Sequence, residues 1–143
     1  MTRDNLGATL WALARVHRGK LAGLLAPLGL HAGQDLLLLA VWDTPGLRQV
    51  ALAGILGVEP PTVTRMVQRL ERGGLIERRP DPHDGRVMLV YPAPRSRLLE
   101  STVRRAWNDV DHLMIHKLGE ADAARLRRLA TAAVTALETG DSA

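Results

Sequence analysis

Residues 78 to 91, RRPDPHDGRVMLVY, interrupt a chain that is otherwise rich in Leu, Ala and Arg at helical spacing. This charged turn bears Pro and Gly and lies between two short β-like runs, LIERR (Leu75 to Arg79) and VMLVY (Val87 to Tyr91), so a two-stranded hairpin with a long loop is expected there. Whatever the rest folds into must carry that hairpin on a helical body. With three Trp, one Tyr and no Phe, the core has to be built from Leu, Val and Ala, which favours helices packed side by side.

The helices follow from the apolar spacing and from Gly and Pro punctuation. Leu6, Leu10, Leu13, Leu21, Leu24 and Leu28 recur at three or four residues or multiples of that spacing, giving a first helix that ends near Pro27 and Gly29. A second covers Gln34 to Trp42 and stops at DTPG; a third covers Arg48 to Leu56 and is closed by Gly57. Pro60 and Pro61 suit the first turn of a fourth, where their missing N–H groups cost nothing, and Gly73-Gly74 ends it. Beyond Pro92 and Pro94, the stripe Leu99, Val103, Trp107, Val110, Met114 and Leu118 marks a helix of about 25 residues, or roughly 37 Å. Gly119 breaks it, and Leu126, Leu129, Ala130, Ala133, Val134 and Leu137 mark a last amphipathic helix.

A helix that long cannot bury its stripe against the few elements of so small a chain. A second copy would cover it, and the expected fold class is mainly α with a small β-hairpin: a central lobe carrying the hairpin, plus interlocking N- and C-terminal dimerisation helices. In a single domain of residues 1–143, residues 1–30 and 94–143 are expected to form the dimerisation helices, and residues 31–93 the lobe.

The absence of Cys excludes disulfides, thiolate metal sites and a cysteine redox sensor. MTRDNLGATL is not expected to act as a signal peptide, and LLLLAVW, bounded by Asp35 and Asp43, falls short of the ~20 apolar residues of a membrane span. A cytoplasmic location without membrane contact is expected. Of the formal charge of +4, all lies between Pro60 and Arg97, with eight basic and four acidic residues; the remainder has 11 of each sign. A local cationic patch on a neutral body is the footprint of a polyanion partner.

QVALAGILGVEPPTVTRMVQ (Gln49 to Gln68) places small Ala53 in one helix, Gly57 in the turn and branched Val63 in the next. A helix-turn-helix needs this pattern: Ala for close helix approach, Gly for the turn, and a branched residue to seal the corner. On the second helix, Val63, Met66, Val67 and Leu70 face inward, leaving Thr62, Thr64, Arg65, Gln68, Arg69 and Arg72 outward or flanking. Arg matches the O6/N7 edge of guanine and Gln the N6/N7 edge of adenine, as major-groove readout requires. In the hairpin, Arg79, His83, Asp84 and Arg86 join the expected DNA-binding set, with Arg86 suited to the narrow minor groove. Asp84 either orients the Arg86 guanidinium or caps the turn.

The order of elements and the segment LAGILGVEPPTVTRMVQRLERGGLIERRPDPHDGR resemble the MarR family of winged helix-turn-helix repressors. The family marks are Leu70, Glu71, Gly74, Leu75, Ile76 and Arg78, then Asp84 and Arg86. The resemblance implies a homodimer on double-stranded DNA at a pseudo-palindromic operator, released by a small, often aromatic anionic ligand or, in some branches, by metal or oxidation. Departures are His31 and Pro61, where the family usually opens the second helix with Thr or Ser and the recognition helix with Ser.

Family pockets lie where dimer helices meet the lobe, so Trp11, His17 and Trp42 are candidate ligand contacts, with Trp107 a further large group. His112 and His116, at i and i+4, could share a metal in a metal-responsive regulator, yet they fall with Arg105 and Asn108 on a polar stripe. No metal site and no cofactor is assigned. No His-Glu-x-x-His pattern is present, so an enzyme is not expected. The remaining alternative is an RNA-binding or partner-recruiting winged helix.

Overall fold

The computed structural model describes residues 4–31 and 33–140. Positions 1–3, 32 and 141–143 of the three expected segments therefore lie outside the described residues. Two compact units are present, one ending at Ala106 and one beginning at Trp107.

The first unit opens with α1 (Leu6–Leu25), which Asn5 caps by accepting the Ala8 N–H at 3.1 Å. The sequence predicts one helix to Leu28; its last residues instead tighten into a 3-10 turn, Ala26–Leu28, with Pro at its start and Gly29 after it. Next comes α2 (Gln34–Asp43), whose Leu37, Leu38, Val41 and Trp42 are buried. Four residues of the apolar LLLLAVW run thus lie in the core, while Leu36 faces outward. The Trp42 indole N–H donates to Ser96 Oγ at 3.1 Å, and that hydroxyl donates to the Ala93 carbonyl at 2.8 Å, so the buried polar atoms are satisfied.

Then follow β1 (Leu47–Arg48), α3 (Gln49–Leu56), α4 (Pro60–Arg72), β2 (Ile76–Pro80) and β3 (Met88–Pro92). The expected two-stranded hairpin is part of a three-stranded antiparallel sheet in the order β1, β3, β2, and both hairpin strands lie one residue later than the apolar runs indicate. The sequence pattern does not reveal β1, because two residues show no alternation. It is held by Leu47 opposite Val90 and Arg48 opposite Leu89, and by the Gly46 N–H donating to the Val90 carbonyl at 2.9 Å. Gly46 has φ +87°, and a Cβ there would stand 3.0 Å from Tyr91 Oη, so both backbone and space require glycine.

α5 (Pro94–Leu118) is 25 residues long, as the stripe predicts, and its residues up to Ala106 belong to the first unit, where Val103 and Ala106 are buried. The second unit comprises the rest of α5 and α6 (Glu120–Gly140). α6 buries none of its residues, and Leu129, Val134 and Leu137 are exposed on it. No helix of the described residues is long and apolar enough to cross a membrane.

Candidate nucleic-acid interface

The site begins with how α3 and α4 are joined. Gly57 ends α3 in the left-handed conformation at φ +64°, and the Val58 N–H closes back on the Ala53 carbonyl at 3.1 Å. Leu52 and Ala53 of α3 are buried, as are Val63, Val67 and Leu70 of α4, while Met66 is half-buried. The small, glycine and branched positions that the sequence pattern singles out thus occupy the helix-turn-helix corner. Gln49 Nε2 donates to Thr64 Oγ1 at 3.1 Å, and that hydroxyl donates to the Pro60 carbonyl at 3.1 Å. The Thr64 hydroxyl is engaged in joining the two helices, which makes it a positioning group.

On the outer face of α4, Arg65, Gln68, Arg69 and Arg72 are exposed and Thr62 is half-exposed. Arg65 Nη2 approaches Thr62 Oγ1 at 3.4 Å. Arg69 and Arg72 lie in the last turn, where cations complement the helix dipole. No carboxylate pairs with Arg65, Arg69 or Arg72 among the described residues.

The wing is built differently. β2 and β3 pair from Ile76 opposite Pro92 to Pro80 opposite Met88, and the loop is closed by the Asp81 N–H to the Val87 carbonyl at 2.8 Å and the Val87 N–H to the Asp84 carbonyl at 2.9 Å. Asp81 is buried and its Oδ1 accepts the His83 N–H at 2.8 Å, while the His83 residue itself is exposed. The two roles expected for Asp84 are both present. Its Oδ1 accepts the Arg86 backbone N–H at 3.1 Å, which shapes the turn, and Arg86 Nε at 3.1 Å, which aims the guanidinium. These bonds from Arg86 hold the Asp84 carboxyl below its ordinary pKa. The Arg86 side chain remains 91% exposed at the tip.

Three further arginines meet acids. Arg79 donates to Glu77 at 3.0 Å and lies over the Tyr91 ring at 4.3 Å from its centroid. Arg48 stands 3.7 Å from Asp81. Arg78 makes a bidentate pair with Glu71, Nε to Oε2 at 3.0 Å and Nη2 to Oε1 at 2.9 Å, lowering the Glu71 pKa and raising that of Arg78. This last pair joins the end of α4 to β2 and gives the family marks Glu71 and Arg78 a physical role, since it ties α4 to the wing. Arg95 adds a bond to the Gly73 carbonyl at 2.7 Å.

Trp11 is exposed on α1 with the Arg15 guanidinium 5.7 Å from its ring centroid, and His17 on the same helix is half-buried. Trp42 is a core residue only 4% exposed, its N–H committed to Ser96. His31 lies before α2, donating its backbone N–H to Gln34 Oε1 at 2.8 Å, and Pro61 sits in the first turn of α4. His112 and His116 are exposed in the second unit; among the described residues no group of three or more His, Asp or Glu side chains could hold a metal ion. Sequence reasoning missed Arg48 and Gln49 as parts of this surface, since only β1 brings them against the wing and α4.

A helix-turn-helix flanked by the strands of a three-stranded sheet, with an arginine-tipped hairpin, defines a winged helix-turn-helix protein. The family model described as MarR family matches residues 30–88. The chain is also similar to an uncharacterized HTH-type transcriptional regulator of Bacillus subtilis, YybA, at 30% identity over 78 residues, which cover 54% of this chain and 52% of that protein. The match thus spans about half the length of this curated relative. Among solved structures, a crystal structure of MarR aligns at 30% identity with a TM-score of 0.81, covering 97% of this chain and 98% of that one. A mutant MarR from E. coli complexed with operator DNA aligns at 26% identity with a TM-score of 0.83, covering 90% and 92%. The chain belongs to the MarR family.

Proposed function

We propose that the protein is a sequence-specific, DNA-binding transcriptional regulator that binds a pseudo-palindromic operator as a homodimer, with α4 in the major groove and the wing in the adjacent minor groove. The observation that carries this reading is the pairing of an exposed α4 face, Arg65, Gln68 and Arg69, with an exposed Arg86 on a wing joined to the same helix by the Glu71–Arg78 bracket. Two elements held at a fixed offset fit a duplex, whose successive grooves are themselves at a fixed offset. That the MarR compared above is complexed with operator DNA supports the same reading.

Residues 1–30 and 94–143 would supply the dimerisation helices, for Leu6, Leu10, Trp11, Leu13 and Val16 of α1 are exposed, as are Leu113 and Leu118 of α5. Such faces are stable when a second copy covers them. Repression relieved by a small aromatic anion acting near His17 and Trp11 completes the reading; His17→Ala should then alter release by a proven inducer.

The test is a titration against duplexes tiled across the region upstream of the protein's own gene, with scrambled duplex and structured RNA as competitors, and light scattering of the free protein. A dimer that selects one duplex carrying two half-sites about one helical turn apart is expected. Equal affinity for all duplexes, preference for RNA, or a stable folded monomer would overturn the respective parts.

A further inference from the structure

If α4 lies in the major groove and the wing in the neighbouring minor groove, the sugar-phosphate strand between those grooves has to cross the surface between the two elements. That surface is the junction of β1 and α3. Gln49 bonds Thr64 of α4 through Nε2 at 3.1 Å, while the preceding residue, Arg48, reaches Asp81 of the wing at 3.7 Å. Adjacent residues of one short segment thus touch both DNA-reading elements.

Arg48 is an unusual residue for its place. It is the N-cap of α3, with extended φ −65° and ψ 139°, and its side chain makes no capping bond. Ser, Thr, Asn or Asp there would satisfy a free N–H of the first turn and stabilise the helix by about 1 kcal/mol. The chain instead carries a cation whose side chain is 61% exposed. Its contact with Asp81 is too long for a hydrogen bond, so it is a loose ion pair. Asp81, by contrast, is only 8% exposed and is fixed by the His83 N–H. A buried carboxylate therefore stands near an exposed guanidinium without hydrogen-bonding it, leaving the guanidinium N–H donors for another acceptor. The Gln49 amide likewise has a second N–H beyond the one given to Thr64.

We propose that Arg48 is a backbone contact for DNA, binding the phosphodiester that separates the groove read by α4 from the groove entered by the wing, with the Gln49 amide beside it. This rests on the DNA-binding reading above. A phosphate contact carries no sequence information, and its signature is the salt dependence of affinity.

The experiment compares wild type, Arg48→Thr and Arg48→Lys on the selected duplex and on scrambled duplex at several salt concentrations, with thermal unfolding of each protein. Arg48→Thr supplies a favoured cap, so it should unfold no lower than wild type. It should nonetheless bind both duplexes more weakly by the same factor, with the slope of log affinity against log salt shallower by about one unit per protomer. Arg48→Lys should keep the wild-type slope. A wild-type slope in Arg48→Thr, or a loss confined to the selected duplex, would overturn the assignment. Wild-type protein that binds no duplex at all would instead overturn the DNA-binding reading itself.

Discussion

α4 and the wing carry similar numbers of arginines, and the structure treats them in opposite ways. On α4, Arg65, Arg69 and Arg72 face outward with no carboxylate paired to them among the described residues. Around the wing, Arg48, Arg78, Arg79 and Arg86 meet Asp81, Glu71, Glu77 and Asp84 in turn. The positive charge of the central segment is therefore concentrated on the helix, whereas the wing is close to balanced. An unpaired arginine meets a polyanion with its full charge and all its donors, while a paired one has to share or exchange its carboxylate first. Helix and wing should consequently contribute different things: the helix affinity and selection, the wing a cation delivered at a set place.

The largest expected effect comes from the unpaired side. Arg65→Ala should cost about 1–3 kcal/mol per lost base contact on the selected duplex and much less on scrambled duplex, relaxing discrimination at one position in each half-site. Titration of every single-base variant of one half-site reads this directly. Uniform losses across those variants would show that Arg65 touches backbone alone, and the contrast between helix and wing would weaken.

A smaller and differently shaped effect is expected at the wing tip. Arg86→Ala should lower affinity for selected and scrambled duplex alike, with the salt slope shallower by about one unit per protomer. Because Asp84 binds both the Arg86 backbone and its guanidinium, Asp84→Ala should reproduce part of that loss. If Asp84→Ala binds more tightly than wild type at every salt concentration, the carboxylate mainly competes with DNA for the guanidinium instead of aiming it.

How much of this could be read in advance depends on the distance in sequence over which each feature is written. The helices are legible because a repeat of three or four residues and a Gly or Pro stop are local signals, and α5 has the length its stripe implies. The corner of Ala53, Gly57 and Val63 is local too. The site residues on α4 are legible as an outward face, but their electrical state is not. Whether Arg78 is free or held depends on β2 folding back beside α4, which brings it against Glu71 seven residues earlier. Arg48 is a stronger case, since its partner Asp81 lies 33 residues away and β1 is too short to show a strand pattern. Trp42 is the converse case: its place in the core, with its indole N–H given to Ser96 54 residues on, is not written in the residues around it.

The smallest expected effect sharpens the comparison from the paired side, through pH. Glu71 has its pKa lowered from the ordinary 4.5, chiefly by the side-chain hydrogen bond from Arg78. A carboxylate whose folded pKa is depressed stabilises the fold fully above its unfolded pKa and loses that contribution as pH falls through the folded value. Arg78, with its pKa raised, remains charged throughout this range, so the whole dependence comes from Glu71. Both side chains are part-exposed, and solvent screening limits the pair to about 0.2–1 kcal/mol. The stability gap between wild type and Glu71→Gln, from urea midpoints at a series of pH values, should accordingly be constant at neutral pH and shrink below the ordinary glutamate pKa. Taking the difference cancels Asp84 and Glu100, which are also depressed and titrate alike in both proteins. A gap that stays constant through the acid range would mean that Glu71 holds α4 to β2 by packing and neutral hydrogen bonds. In that case the bracket would persist in acid while the Arg86 pair at the wing tip loosened, so the fixed offset between helix and wing would rest on shape and not on charge.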